Sequence, residues 1–196
     1  MRVSNNASSN SHSIPKALAG AKCLISLGAN VPGRWGAPAA TLRRAISILE
    51  QNQVFIAACS RIYRTPAHPG AGLMPNFYNA AVIVQTNLPP AGILRLLKKI
   101  ERMAGRRIKP RWSARPLDLD LIDYGGRILN WPATTRVGSP LVLPHPFMHE
   151  RGFVLLPLDE IAPHWRHPVL GISVGALIRR DPGLRRGIAQ VGQLIL

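Results

Sequence analysis

Asp118 and Asp120 are the residues of this sequence whose types and spacing are best suited to chemistry. They alternate with Leu117, Leu119 and Leu121, so an extended strand would turn the leucines to one face and both carboxylates to the other. Side chains two residues apart on a strand lie roughly 6.6 Å apart. Two negative charges at that distance need a compensating cation. Magnesium is usually held by one or two carboxylates together with substrate phosphates, so the pair indicates a magnesium–phosphate site.

A run of basic residues precedes the aspartates and could bind those phosphates. It consists of Arg106, Arg107, Lys109, Arg111 and Arg115. Short motifs such as D-x-D also occur without function, and a solvated strand face beside a basic turn is the alternative.

Five segments in order carry a resemblance to a known family. R-W-x-x-R-x-x-D-L-D at 111–120 resembles the signature of the 6-hydroxymethyl-7,8-dihydropterin pyrophosphokinases of folate biosynthesis. The likeness extends from Leu24 to Pro163, and its other landmarks are S-L-G-A-N at 26–30, Y-R-T-P at 63–66, F-Y-N-A-A at 77–81 and P-H-P-F-M-H-E-R-G-F at 144–153.

The resemblance implies transfer of pyrophosphate from ATP to the hydroxymethyl group of a reduced pterin, with release of AMP. Two Mg²⁺ ions would bind Asp118 and Asp120, and these aspartates would form the catalytic set with Arg106 and Arg115. The ATP contacts implied are Glu101, Arg106, Trp112, Arg115, His145 and Arg151. The pterin contacts implied are Thr65, Pro66, Phe77, Asn79, Trp112 and Phe153. The protein would act as a cytoplasmic monomer on small molecules, with nucleic acid not expected as a partner.

Three features depart from the family pattern. Ser113-Ala114 stands where Gly-Pro is commoner, and the segment between Gly105 and Trp112 is about one residue shorter than in some relatives. The arginine-rich C-terminus has no recognised counterpart. None of these departures affects the two aspartates.

Three of the implied site residues also have structural interpretations. The strand period places Phe77 beside Asn79, where an aromatic ring and an amide could bind a flat heterocycle, or could instead fill the core and hold the backbone. Glu101 lies outside the apolar stripe of its helix, which favours a surface ion pair on sequence alone.

The composition points to an anionic partner, because the sequence has 25 basic and 9 acidic residues and a net charge of +16. A basic single-stranded nucleic-acid-binding module is therefore an alternative function, with Phe77, Trp112 and Phe153 as stacking platforms. It would not need two aspartates. A two-metal nuclease would need more acidic ligands than this chain readily supplies. No run of about 18 apolar residues predicts a membrane span, and Cys23 and Cys59 fit no metal spacing and are expected to be reduced thiols.

The elements that must position these residues indicate an α+β fold, a ferredoxin-like sandwich in which helices flank a mostly antiparallel sheet. Apolar spacing predicts strands at 23–27, 54–63, 77–86 and 116–124, and helices at 38–51 and from Pro89-Pro90 to Ala104, ended by Gly105. Loops are expected at 64–76 and 105–115, and one helical turn near Met148. The expected domains are a disordered tail (1–21), a catalytic domain (22–170) and a basic extension (171–196).

Overall fold

A single antiparallel sheet organises the fold. The computed structural model describes residues 20–67, 74–107, 113–132 and 141–195, and within them six strands form this sheet. They are β1 Ala21–Ala29, β2 Phe55–Cys59, β3 Arg61–Thr65, β4 Phe77–Thr86, β5 Asp118–Tyr124 and β6 Ala189–Gln193. The spatial order is β5-β1-β4-β3-β6, and β2 pairs with the remaining length of β4. Predictions about the tail (1–19), Lys109, Arg111 and Trp112 lie outside the described residues.

Helices cover both faces of the sheet, so the predicted α+β sandwich is confirmed. Helices α1 Pro38–Gln51 and α2 Pro90–Met103 pack their apolar stripes on Cys23, Ile25 and Leu27 of β1. Helices α3 Gly152–Ile161 and α4 Val174–Arg180 pack on the other face, against Leu24 and Ile122. The strand period of two thus divides the side chains between two cores.

Helix α2 matches its predicted bounds and shows why its sequence ends there. Proline occupies its first turn, where a missing N–H is tolerated. Gly105 follows the last turn with φ +99°, the left-handed conformation that glycine adopts freely. The chain then continues into residues 105–115, here called the basic loop. The expected exposure of Glu101 is wrong, because only 3% of this residue is accessible.

The strand predicted at 54–63 is two strands, and Ser60 explains the interruption. Its buried hydroxyl accepts a hydrogen bond from the Ala81 N–H (2.9 Å) and donates one to the Arg61 carbonyl (2.7 Å). The side chain therefore replaces a backbone partner of β4 at this point. After it, β3 continues to Thr65, beyond the predicted strand end at Tyr63.

Residues after Pro163 also contribute to the fold. Val174 and Leu177 of α4 are buried, and β6 pairs with β3 at the edge of the sheet. Two 3₁₀ turns, Met148–Glu150 and Pro182–Arg185, complete the described elements. Across the described ranges, no helix is both long and apolar enough to span a bilayer.

Candidate active site

Strand β5 presents its aspartates as the alternation predicted. Leu117, Leu119 and Leu121 are at most 3% accessible and belong to the core beneath α1 and α2. Asp118 and Asp120 project from the opposite face, where their side chains keep 20% and 34% of their accessible surface. The apolar residues therefore fix the strand while the carboxylates open onto a cleft.

Two arginines from the basic loop neutralise Asp118. Arg106 binds its Oδ1 atom, and Nη1 of Arg115 lies 2.5 Å from its Oδ2 atom. Burial alone would raise the pKa of Asp118, but the charges of Arg106, Arg115 and Lys98 more than offset it and hold the pKa below its usual range. Asp118 is thus ionised and already paired with cations.

Asp120 is less tightly held than Asp118, and among the described residues one cation forms an ion pair with it. Nζ of Lys98 lies 3.9 Å from its Oδ1 atom and donates a 3.1 Å hydrogen bond to the Leu119 carbonyl. Sequence reasoning missed Lys98. Its position three residues before Glu101 on α2 places both on one helix face, and that spacing could have identified it.

Glu101 lies beneath the arginine and lysine side chains. Its Oε1 atom is 2.7 Å from each of Lys98 Nζ, Arg106 Nη1 and the Leu119 N–H. Burial raises the pKa of Glu101 despite these partners. Because it contacts two cations and the backbone of β5, Glu101 ties helix α2 to the strand that carries both aspartates.

The turn after β1 holds both ends of the basic loop. The Arg115 N–H donates to Oδ1 of Asn30 (2.7 Å), and the Asn30 N–H donates to the Arg115 carbonyl (3.0 Å). At the other end, the Arg34 N–H donates to the Ala104 carbonyl (3.1 Å). Asn30 is 3% accessible, and sequence reasoning assigned it no role.

His145 and Arg151 enter the site after β5. The His145 N–H donates to the Ile122 carbonyl (2.8 Å), which fixes it beside the strand. The Arg151 guanidinium lies between two exposed rings, 5.5 Å from the centre of Phe147 and 5.8 Å from that of Phe153. Burial lowers the pKa of both residues, and the negative charges of Asp120 and Asp118 oppose that effect.

A second wall carries the residues expected to contact a heterocycle. Asn79 is buried and donates from Nδ2 to Thr65 Oγ1 (2.8 Å), while Phe77, opposite Thr65 in the register, is half-buried. Pro66 follows and is exposed. Sheet register places Thr65, Phe77 and Asn79 on the face that carries the aspartates.

One row of residues crosses the sheet and joins the two walls. Gly28 of β1 is paired with Asn79 on one side and with Asp118 on the other. A Cβ atom at position 28 would lie 3.0 Å from Asn79 Oδ1 and 4.0 Å from Asp118 Cβ. Glycine therefore leaves the floor between the walls open, a role that sequence reasoning did not assign.

The donor set fits a metal that shares its ligands with a phosphate. The carboxylates of Asp118 and Asp120 are hard oxygen ligands on one face of a rigid strand. Within the described ranges, no cluster of three or more His, Cys, Asp or Glu side chains is arranged to hold a metal. The residues thus suit Mg²⁺ completed by substrate oxygens rather than an all-protein cage.

Comparison with known proteins gives consistent matches. The family model for 7,8-dihydro-6-hydroxymethylpterin-pyrophosphokinase matches residues 24–163. A Synechocystis protein named 2-amino-4-hydroxy-6-hydroxymethyldihydropteridine pyrophosphokinase is 38% identical over 125 residues, which are 64% of this chain and 60% of that protein. The protein of the same name from Methylorubrum extorquens is 38% identical over 143 residues, 72% of this chain and 83% of its own.

The fold has solved counterparts as well. A crystal structure of Plasmodium falciparum HPPK-DHPS with pterin and p-hydroxybenzoate superposes with a TM-score of 0.66 at 13% identity, covering 87% of this chain and 47% of that one. At that identity the match concerns the fold alone. The chain therefore spans 60% of the Synechocystis relative and about half of the larger Plasmodium protein.

Proposed function

This chain belongs to the 7,8-dihydro-6-hydroxymethylpterin-pyrophosphokinase family, and from that membership we propose that it transfers pyrophosphate from ATP to 6-hydroxymethyl-7,8-dihydropterin. The hydroxymethyl oxygen attacks the β-phosphorus of ATP, and AMP leaves. The product belongs to folate biosynthesis. The proposal includes dependence on ATP and on two Mg²⁺ ions.

The observation that carries this proposal is the meeting of two carboxylates with a group of cations on one face of the sheet. Asp118 and Asp120 lie among Lys98, Arg106 and Arg115, with the charge of Arg151 acting on both carboxylates. Anionic phosphates and a divalent cation together satisfy such a mixed set, because each sign of charge finds a partner.

The proposed roles follow from these positions. Asp118 and Asp120 would hold Mg²⁺, which would neutralise phosphate charge and lower the pKa of the attacking hydroxyl. Side-chain cations orient the triphosphate for in-line attack, a reaction in which positioning and charge neutralisation dominate. We assign this role to the cations of Arg106, Arg115 and Arg151, with Glu101 fixing Arg106, and to His145 as a neutral hydrogen-bonding partner, since burial lowers its pKa.

The opposite wall is proposed to bind the pterin. Asn79 offers its amide oxygen, Thr65 and Pro66 form the neighbouring edge, and Phe77 and Phe153 are the ring-stacking residues. Phe77 and Asn79 lie on β4 and Thr65 on β3, one and two strands beyond β1 from the aspartates, and Phe153 lies in α3. Trp112 belongs to the same proposed pocket but lies outside the described residues.

We propose further that the protein works as a monomer in the cytoplasm. Cys23 and Cys59 are unpaired thiols, which fits a reducing compartment. Analytical ultracentrifugation of the full chain at micromolar concentration tests the monomer directly.

Replacing Asp120 by Ala is the sharpest test of the proposed reaction. Asp118→Ala would also remove an ion-pair partner from both Arg106 and Arg115, whereas the ion pair described for Asp120 is a single one at 3.9 Å, so its loss should leave the fold intact. We expect AMP release from ATP and the pterin to fall by roughly a thousandfold or more. Glu50→Ala, which removes an exposed acid on α1, is the control for net charge and should retain full activity.

The same experiment separates the alternatives. A nucleic-acid module would bind RNA more tightly once a negative charge is removed. Tighter RNA binding by Asp120→Ala, together with a parent protein that releases no AMP, would exclude the pyrophosphokinase.

A further inference from the structure

Residues 181–193, here called the C-terminal segment, lie beyond the part of the chain that the family model matches. They nevertheless contact both walls of the site. We propose that the C-terminal segment positions the pterin-binding wall, and that Gln190 is a positioning residue for that substrate. This inference rests on the proposed function and adds residues to which that function assigns no role.

The first contact is a series of hydrogen bonds that runs from Gln190 through Tyr63 to Glu160. Gln190 Nε2 donates to the Tyr63 hydroxyl (2.8 Å), and the hydroxyl donates to Glu160 Oε2 (2.7 Å). The charge of Glu160 is in turn balanced by Arg61, whose Nε lies 3.0 Å from Oε1. Tyr63 is only 7% accessible, so this chain fixes a ring that is packed within the molecule.

Tyr63 connects these hydrogen bonds to the pterin-binding wall. In the sheet register Gln190 pairs with Tyr63, and Tyr63 pairs with Asn79. Thr65, the partner of the Asn79 amide, lies two residues further along the same strand. A shift of β3 would therefore move Thr65 and the amide that it holds.

Two close approaches connect the C-terminal segment to other parts of the site. A Cβ atom on Gly187, which has φ +70°, would lie 3.1 Å from Pro66 Cγ. A Cβ atom on Gly152 would lie 1.8 Å from the Leu184 carbonyl oxygen, which is impossible without displacement. Gly152 lies between Arg151 and Phe153, so the segment also packs directly behind Arg151 on the side of the site that carries the aspartates.

The C-terminal segment is itself well anchored. Strand β6 pairs with β3 from Arg64 to Arg61, and Arg43 Nη2 of α1 donates to the Gln193 carbonyl (2.8 Å). Leu194, which follows it, is 1% accessible and belongs to the core beneath α1 and α2. A segment fixed at this end and in contact with both walls can transmit its position to them.

Gln190→Leu tests the inference without disturbing the core, because this side chain lies on an exposed edge strand. Its matched control is Gln193→Leu on the same strand, where the contact with Arg43 uses the backbone carbonyl. Calorimetry measures Kd for the pterin and for a non-hydrolysable ATP analogue separately, and thermal unfolding of the free protein gives Tm. We expect Gln190→Leu to raise the pterin Kd roughly three- to tenfold, the size of one lost hydrogen bond. The ATP-analogue Kd should not change, the Tm should fall by no more than about 2–4 °C for the one lost hydrogen bond, and the control should match the parent in all three.

A second pair of variants makes the test independent of Gln190. Gly187→Ala introduces a methyl group against Pro66 at a φ of +70°, whereas Gly171→Ala, at a similar φ of +67°, meets nothing within 4 Å. Weaker pterin binding in the first alone supports the inference. It is overturned if both Gln190→Leu and Gly187→Ala bind the pterin like the parent, or if they weaken both ligands equally with a lower Tm. A parent protein that binds no pterin overturns the proposed function and this inference with it.

Discussion

The Asn79 amide has two roles, one in the fold and one in the proposed binding site. Its Nδ2 atom donates to Thr65, while its Oδ1 atom faces the open position at Gly28. Asn79→Leu removes both functions of the amide. We expect pterin binding to weaken by about 1–3 kcal/mol, because the partners of the amide remain unpaired, with little change for ATP. Calorimetry with each ligand measures the difference.

Thr65→Val serves as the companion variant. It removes the hydroxyl that orients the amide but leaves the amide in place, so its effect on pterin affinity should be smaller. If Asn79→Leu weakened ATP and pterin equally, Asn79 would be a purely structural residue.

A cluster of rings away from the aspartates makes stability depend on pH. His167 is fully buried, and its Nδ1 atom accepts hydrogen bonds from the Val169 and Leu170 N–H groups. The rings of Trp131, His149 and Trp165 lie within 6.0 Å of it, centre to centre. Burial, with a smaller contribution from His149, lowers the pKa of His167 from 6.5 to about 4. The native state therefore favours the neutral imidazole.

The direction of the pH effect follows from that shift. Between pH 6.5 and about 4, His167 is protonated in the unfolded chain but neutral in the native state. The stability that His167 contributes is therefore complete above pH 6.5 and is lost as the pH falls towards 4. The loss attributable to His167 is as much as about 3 kcal/mol. Urea unfolding at pH 7 and pH 5 measures about 2 kcal/mol of this loss, because pH 5 lies about 1.5 units below the unfolded pKa. His167→Asn keeps an acceptor without the titration, so its stability should fall less between these pH values; an equal fall would contradict the assignment.

Single residues differ in how far the sequence predicts them. Strict alternation with leucine places Asp118 and Asp120 on one face, because a strand allows no other arrangement. The burial of Glu101 depends on how α2 crosses β5, which no local pattern encodes. Gly28 acquires its role from its two neighbours in the sheet, which belong to strands distant in sequence.

At the level of elements, the turn after β1 determines where the arginines lie. A Cβ atom on Gly33 would lie 2.7 Å from the Ala104 carbonyl oxygen and 2.8 Å from Pro116 Cβ, at the two ends of the basic loop. Gly33→Ala should push these ends apart. We expect about tenfold weaker ATP binding, as for Asn30→Ala, which leaves the Arg115 N–H without its acceptor. Gly192→Ala is the control, since a methyl group there meets nothing within 4 Å and, like Gly33, it has no positive φ. Equal ATP affinity in all three variants would show that the turn does not position the loop.

Elements with a clear period are the ones that the sequence predicts. The apolar stripes of α1 and α2 and the alternation of β4 and β5 identify them directly. Helix α3 is missed because Pro157 lies inside it and lacks an N–H to donate. Strand β6 is missed because its exposed Gln and Gly residues carry no apolar alternation, and it forms only because β3 offers an edge.

For the whole molecule, fold class is easier to predict than sheet order. Strands and helices that do not alternate strictly indicate an α+β sandwich, which the structure confirms. The order β5-β1-β4-β3-β6 places β1, first in sequence, between β5 and β4. That arrangement brings residues 28, 79 and 118 together, and it arises from long-range pairing that composition and periodicity do not contain.

The row from Asn79 through Gly28 to Asp118 has a consequence for which alcohols can react. Neighbouring strands lie about 4.8 Å apart, so two steps across the sheet separate the wall of Asn79 from Asp118 by roughly 10 Å. Because the hydrogen-bonded strands keep this spacing fixed, the row sets the distance between the ring-binding wall and the aspartates. A ring held at Asn79 brings its hydroxyl to the aspartates only when the arm between them has one particular span. A pterin whose arm is longer by one methylene should still bind, yet its turnover should fall on the order of a hundredfold, because its oxygen overshoots. Equal kcat values for the pterin and its longer analogue would mean that the spacing across the sheet does not select substrates by length.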